Sequence, residues 1–153
     1  MLVWRICKQR HLVSAFSGVG TEKHGGRWNH RGDPMVYASS SLSLAALELF
    51  IHLPPDCLPD DLNSVVATIP DGATSAKLGI VDLPANWRDY PAPTSLKEIG
   101  AKWLRERRSL VLVVPSAVNP DEVNVLLNPL HPEATTLSKI ESKPFHFDPR
   151  MRK

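Results

Sequence analysis

Gly25-Gly26-Arg27-Trp28-Asn29 is the segment of this sequence best suited to meet an anion. Two glycines let the backbone turn sharply or approach a ligand closely. The guanidinium that follows offers a planar fork to a phosphate. An ordinary turn with a surface Arg27 fits the same five residues. Glu48 stands between Leu47 and Leu49 in an apolar run, with Leu44, Ala45, Ile51 and His52 as its helical neighbours. A carboxylate in such surroundings needs a partner. It either pairs with a core cation such as Arg5 or faces a cleft where it does chemistry. His52 lies one helical turn further on, but no third ligand has matching spacing, so no metal is expected. Tyr37 at a strand end either packs in the core with its hydroxyl satisfied or stacks on a heteroaromatic ring. Ser116 follows the run LVLVVP at a strand end, the place where open sheets gather ligands. Pro115 before it and Ala117 after it are not the context of a nucleophile elbow. Ser116 is therefore read as a ligand's hydrogen-bond partner or as a plain turn residue.

These residues must be held by a frame, and much of it is visible as pattern. Leu2 to Cys7 reads as a first strand, with Leu2, Trp4 and Ile6 on one face and Val3, Arg5 and Cys7 on the other. His11 to Pro34 holds five glycines and reads as a long functional loop. Met35 to Ala38 reads as a strand, and the serines at 39, 40 and 41 offer helix N-caps. Leu42 to Leu53 reads as a helix, apolar almost all round and so expected to be buried, with Pro54-Pro55 as its stop. Ser64 to Ile69 is a β-branched strand, followed by the turn Pro70-Asp71-Gly72. Leu78 to Leu83 reads as a short strand and Pro84 to Pro93 as irregular. Ser95 to Arg108 is an amphipathic helix, with Leu96, Ile99, Trp103 and Leu104 on one face. Leu110 to Val114 is expected as a central strand, Val123 to Leu127 as another, and Phe145 to Phe147 as the last. Short strands with two helices and no regular βαβ alternation give an α+β class.

The 153 residues suit one domain, taken as 1–153. Fourteen prolines favour a loop-rich fold over a helical bundle. A net charge of +2 is too small to argue for nucleic acid. The basic stretches 97–108 and 139–153 are read as solvated faces, although they leave an RNA-directed protein as a distant alternative. Cys7 and Cys57 form no framework, which fits a reducing cytosol. The basic residues among Met1 to Leu12 leave no apolar stretch for a signal peptide. Nothing approaches the about 18 apolar residues of a membrane span. A cytoplasmic location without membrane contact is expected.

In order and spacing the pieces resemble the RES-domain toxins. The matching segments are Trp4-Arg5-Ile6, Gly25-Gly26-Arg27-Trp28-Asn29, Val36-Tyr37-Ala38-Ser39 and Leu44-Ala45-Ala46-Leu47-Glu48. They continue with Val114-Pro115-Ser116, Asn128-Pro129-Leu130-His131-Pro132 and the stretch from Phe145 to Arg150. The resemblance implies a compact single domain similar to ADP-ribosyltransferases, with a split mixed sheet around an NAD cleft. It implies NAD as substrate and no metal. Arg5 and Arg27 would bind the NAD phosphates or ribose, Tyr37 would orient the nicotinamide, Glu48 would be the essential carboxylate, and Ser116 would line the same site. It further implies a toxin that depletes NAD by hydrolysis or phosphorolysis, or that transfers ADP-ribose to a protein. An Xre-type helix-turn-helix antitoxin would cover the active site. A homodimer is expected too, with apolar residues between Leu53 and Leu62 as its contact.

Overall fold

The computed structural model describes residues 1–54 and 57–151. Pro55, expected to help stop the first long helix, and Arg152 and Lys153 of the basic tail lie outside them. Seven strands form one mixed sheet: β1 (Leu2–Lys8), β2 (Val36–Ser39), β3 (Leu62–Thr68), β4 (Ser75–Lys77), β5 (Val111–Pro115), β6 (Val123–Leu127) and β7 (Ser138–Pro144). Their spatial order is β4-β5-β6-β2-β1-β3-β7. Only β4 and β5 run parallel. The chain is α+β, as expected. The sheet is continuous, but β1 and β2 meet through a single register pair, Trp4 with Ser39. By contrast β1 and β3 are in register from Leu2–Thr68 to Lys8–Leu62. The pairing is thus shortest at the β1–β2 seam.

Alternation of side chains gives the sheet two cores. On one face Val3, Val36, Ala38, Ala67, Val111, Val125 and Leu127 pack together, with Phe16 against them. On the other, Leu112, Val114 and Leu126 lie under Trp28, Trp87, Leu96, Trp103 and Leu104. Each fully buried leucine of these sets contributes about 1.5–3 kcal/mol. Helix α3 (Thr94–Glu106) supplies the cover of the second face through Leu96, Trp103 and Leu104. Its spacing is the one the sequence pattern gave, and the Trp103 indole donates to Ser109 Oγ at 2.9 Å.

Several expectations need correction. Helix α2 (Leu42–Phe50) is capped by Ser41, whose Oγ accepts from Leu44 N–H at 3.1 Å. It is not buried all round: Leu44 and Ala45 are, but Leu47 is 37% and Ile51 51% exposed. The loop from His11 to Pro34 contains a short helix, α1 (Val19–His24). It starts where Gly18 takes a positive φ of 75°. Leu78 to Leu83 is no strand. Asp82 accepts from Gly79 N–H at 2.7 Å and curls Ile80–Asp82 into a 3-10 turn, after the unforeseen edge strand β4. Strand β5 is not central but second from the edge. Its burial comes from having a core on each face. The last strand is β7, upstream of Phe145 and Phe147, which instead pack on each other at 5.1 Å between ring centroids.

Candidate active site

The GGRWN segment is folded by Asn29, which is fully buried. Its amide donates to Thr21 O, His30 O and Asp33 O, and its Oδ1 accepts from the Tyr37 hydroxyl at 2.7 Å. The same hydroxyl accepts from Trp28 N–H at 2.8 Å. A Cβ at Gly26 would lie 2.6 Å from Tyr37 Oη and 2.9 Å from Asn29 Oδ1, so only glycine fits there. Trp28 is buried under α3, which fixes the direction in which the preceding Arg27 leaves the loop. One guanidinium nitrogen, Nη1, is anchored on Trp87 O at 2.8 Å and Asp89 O at 3.2 Å. Among the described residues Nε and Nη2 make no hydrogen bond, and they remain able to meet a ligand. Burial lowers the pKa of Arg27, while the charges of Glu48 and Asp89 oppose that shift. Burial likewise holds the Tyr37 phenol well above its usual range, so it is a neutral donor.

Glu48 projects from α2 to the ends of β5 and β6. Its Oε1 accepts from Ser116 Oγ at 2.7 Å and from Asn124 Nδ2 at 2.5 Å. Oε2 has no hydrogen-bond partner among the described residues. The side chain is half-buried, neither locked in the interior nor free in water. Ser116 is completely buried and accepts from Val118 N–H at 3.1 Å and Asn119 N–H at 3.0 Å. Asn124 accepts from Ser39 Oγ at 2.8 Å. The result is a carboxylate held by one oxygen, with the other unpaired among the described residues, whose charge is felt at the Arg27 guanidinium.

Arg27, Tyr37, Glu48 and Ser116 are thus gathered on one face of the sheet. Arg5 is not. It shares its face of β1 with Val3, and register through Trp4–Ser39 sets it opposite Ala38, in the other core. Tyr37, paired with Leu126, belongs to the second core. The Arg5 guanidinium lies 5.9 Å from the Phe16 ring centroid. Desolvation lowers its pKa, and its charge couples to Cys7 rather than to Glu48 or Arg27. Odd and even residues of β1 face opposite ways, so the fold does not bring Arg5 to the face that carries Arg27. Neither does Arg5 pair with Glu48. Ser116 is brought to the cluster, where, buried, it donates to Glu48. Sequence reasoning missed Asn124 and the role of Ser39. The available signal was an asparagine between Val123 and Val125 in a strand, where that residue type is depleted. Among the described residues no group of three or more His, Cys, Asp or Glu side chains is placed to hold a metal. A separate cavity of about 260 Å3, lined by Asp33, Pro34, Leu104, Arg105, Arg107 and Leu130, shares no residue with this cluster. No helix of the described residues is long and apolar enough to cross a membrane.

A seven-stranded mixed sheet with helices packed on it, carrying a carboxylate-centred polar cluster at its strand ends, defines an α+β domain. The chain belongs to the RES domain family, whose family model matches residues 2–148. It is 40% identical over 153 residues to "Toxin Res" of Yersinia enterocolitica, covering 99% of this chain and 100% of that protein. It is 37% identical over 152 residues to the "Prs ADP-ribosylating toxin" of Sphingobium sp., covering 97% of this chain and 94% of that protein. Its fold is similar to a chain in the crystal structure of the M. tuberculosis MbcT–MbcA toxin–antitoxin complex, with a TM-score of 0.72 at 15% identity. That match covers 95% of this chain and 84% of the other.

Proposed function

We propose that the chain is the toxin of a toxin–antitoxin pair and that it breaks the nicotinamide–ribose bond of NAD. The observation that carries this reading is Glu48, with Oε1 tied to Ser116 and Asn124 and Oε2 without a hydrogen-bond partner among the described residues. The nicotinamide nitrogen of NAD is cationic, so the ring leaves as a neutral molecule. Positive charge then develops on the ribose in an oxocarbenium-like state. A fixed carboxylate stabilises that charge more than it stabilises the ground state. The free nitrogens of Arg27 meet the pyrophosphate, for which a guanidinium fork is matched in geometry and charge. The Tyr37 ring, its hydroxyl committed to Asn29 and Trp28, presents an aromatic surface to the nicotinamide. The chemistry as written requires no metal.

The acceptor of the ribosyl cation is water or phosphate in a toxin that depletes NAD in the cytoplasm. The Sphingobium relative's name supports a second reading, transfer of ADP-ribose to a protein. The partner we propose is an antitoxin of the Xre helix-turn-helix type whose acidic or C-terminal groups cover Arg27. The toxin–antitoxin title of the structural neighbour supports that pairing. The test is expression in bacteria with intracellular NAD followed over time, alongside purified protein supplied with adenylate-labelled NAD. A fall in NAD, with label in ADP-ribose or in its 1″-phosphate, supports depletion. Label on a protein band supports transfer. Intact NAD in both assays contradicts the proposal.

A further inference from the structure

Asn124 is not needed to hold the sheet together, since backbone pairing does that, yet its amide is placed with both ends committed. On one side it faces Glu48 Oε1 and on the other Ser39 Oγ. The register explains how. Asn124 is opposite Ser39 on β2 and opposite Val114 on β5, so its side chain emerges from β6 between the two strands that end at the cluster. The direction of every bond in the chain is dictated by chemistry. A carboxylate only accepts, so the amide nitrogen must face Glu48. The amide oxygen then faces Ser39, whose single O–H must donate to it. Ser116 accepts two backbone N–H groups, and its single O–H goes to the carboxylate. Two donors thus converge on the same oxygen, and the other oxygen is left bare. If the only task were to satisfy a half-buried carboxylate, donors spread over both oxygens would serve as well. Convergence on one oxygen sets the rotation of the carboxylate plane.

We infer that Asn124, itself oriented by Ser39, is a positioning residue that fixes Glu48 so that Oε2 faces the reacting ribose. This rests on the NAD reading for its catalytic consequence, though not for its geometry. Ser39 acts at one remove: with its donor gone, the amide is free to turn, and an amide oxygen facing a carboxylate oxygen repels it. Neither residue touches NAD, so the loss belongs in kcat and not in KM.

The test has two independent readouts on the full chain. The first is steady-state NAD turnover. Asn124→Leu lowers kcat by about 100-fold with KM nearly unchanged, the loss expected when a reacting group is misplaced by a fraction of its contact distance. Ser39→Ala lowers kcat in the same direction, and Ser39→Thr, which keeps the hydroxyl, restores it. The Ser39 pair keeps the test sound where Asn124→Leu fails to fold. The second readout is the side-chain amide signal of Asn124 in 1H–15N spectra recorded without NAD. One of its two protons lies downfield and exchanges slowly, and it moves upfield in both Glu48→Ala and Ser39→Ala. An unperturbed amide signal in Glu48→Ala overturns the positioning role whatever the activity. Full kcat in Asn124→Leu or in Ser39→Ala overturns its catalytic consequence. Wild-type protein that leaves NAD intact while the amide signal behaves as stated contradicts the NAD reading and leaves the positioning geometry standing.

Discussion

A carboxylate on a mostly apolar helix has to be satisfied, and Glu48 is satisfied on one oxygen only. The same economy marks Arg27, tied through Nη1 and otherwise open. Arg27→Met is expected to raise KM for NAD by about 10-fold or more, the loss of one charge-assisted contact; an unchanged KM in steady-state assays removes Arg27 from the ligand. Tyr37 has the opposite character, with its hydroxyl fully used. Tyr37→Phe strands Trp28 N–H and Asn29 Oδ1 and costs about 1–3 kcal/mol in urea unfolding. Its pH dependence has a definite sign. The folded-state pKa is raised above the ordinary value of 10.0, so the stabilisation is fully present below about pH 10 and is lost as pH rises beyond it. The gap between wild type and Tyr37→Phe therefore holds constant up to about pH 9 and narrows at higher pH. A gap that widens in alkali contradicts the account of this hydroxyl.

At the scale of elements, α3 places the site without contributing a residue to it. Gly100 is where the helix meets the Trp28 carbonyl, and a Cβ there would collide with that oxygen. Gly100→Ala is expected to push α3 off the loop and lower stability by about 3 kcal/mol, read as a shift in urea midpoint. Because Trp28 moves with it, NAD turnover falls as well. An alanine variant with wild-type midpoint means that the loop is not clamped by the helix. What the sequence made legible follows from burial. Strands with buried faces, such as β5 with its continuous apolar run, and the amphipathic α3 with its period of 3.6 carry their signal in side-chain type. The edge strands β4 and β7 do not, because their side chains meet water on both sides: Ser75, Ala76 and Lys77 are all exposed, and Ile140 is 54% exposed. Such strands are held by backbone pairing, which leaves no trace in side-chain type. The site divides in the same manner. Arg27, Tyr37, Glu48 and Ser116 stood out because each is a functional side chain in an unusual local context. The link from Ser39 to Asn124 spans 85 positions and exists only through the β2–β6 register. The place of Arg5 also depended on register: alternation showed it opposite Trp4 and Ile6, but not which face would receive Glu48.

For the whole molecule, two cores on the two faces of one sheet leave the polar cluster at the strand ends, beneath α2 and next to the GGRWN loop. Arg5 lies half-buried on the face of the other core, a cation with no ion-pair partner among the described residues. An arrangement of that kind costs stability in the free protein. Near-neutral net charge, +2, gives no long-range attraction to polyanions, so recognition has to come from the cluster itself. In the proposed reaction Glu48 stabilises charge on a ribose as nicotinamide departs. It is tested most directly by chromatographic measurement of nicotinamide released from NAD by purified wild-type and Glu48→Gln proteins of equal stability. Release by the wild type is expected, with a rate lower by about 100- to 1,000-fold in Glu48→Gln. Equal rates in the two proteins, or no nicotinamide from either, contradict it.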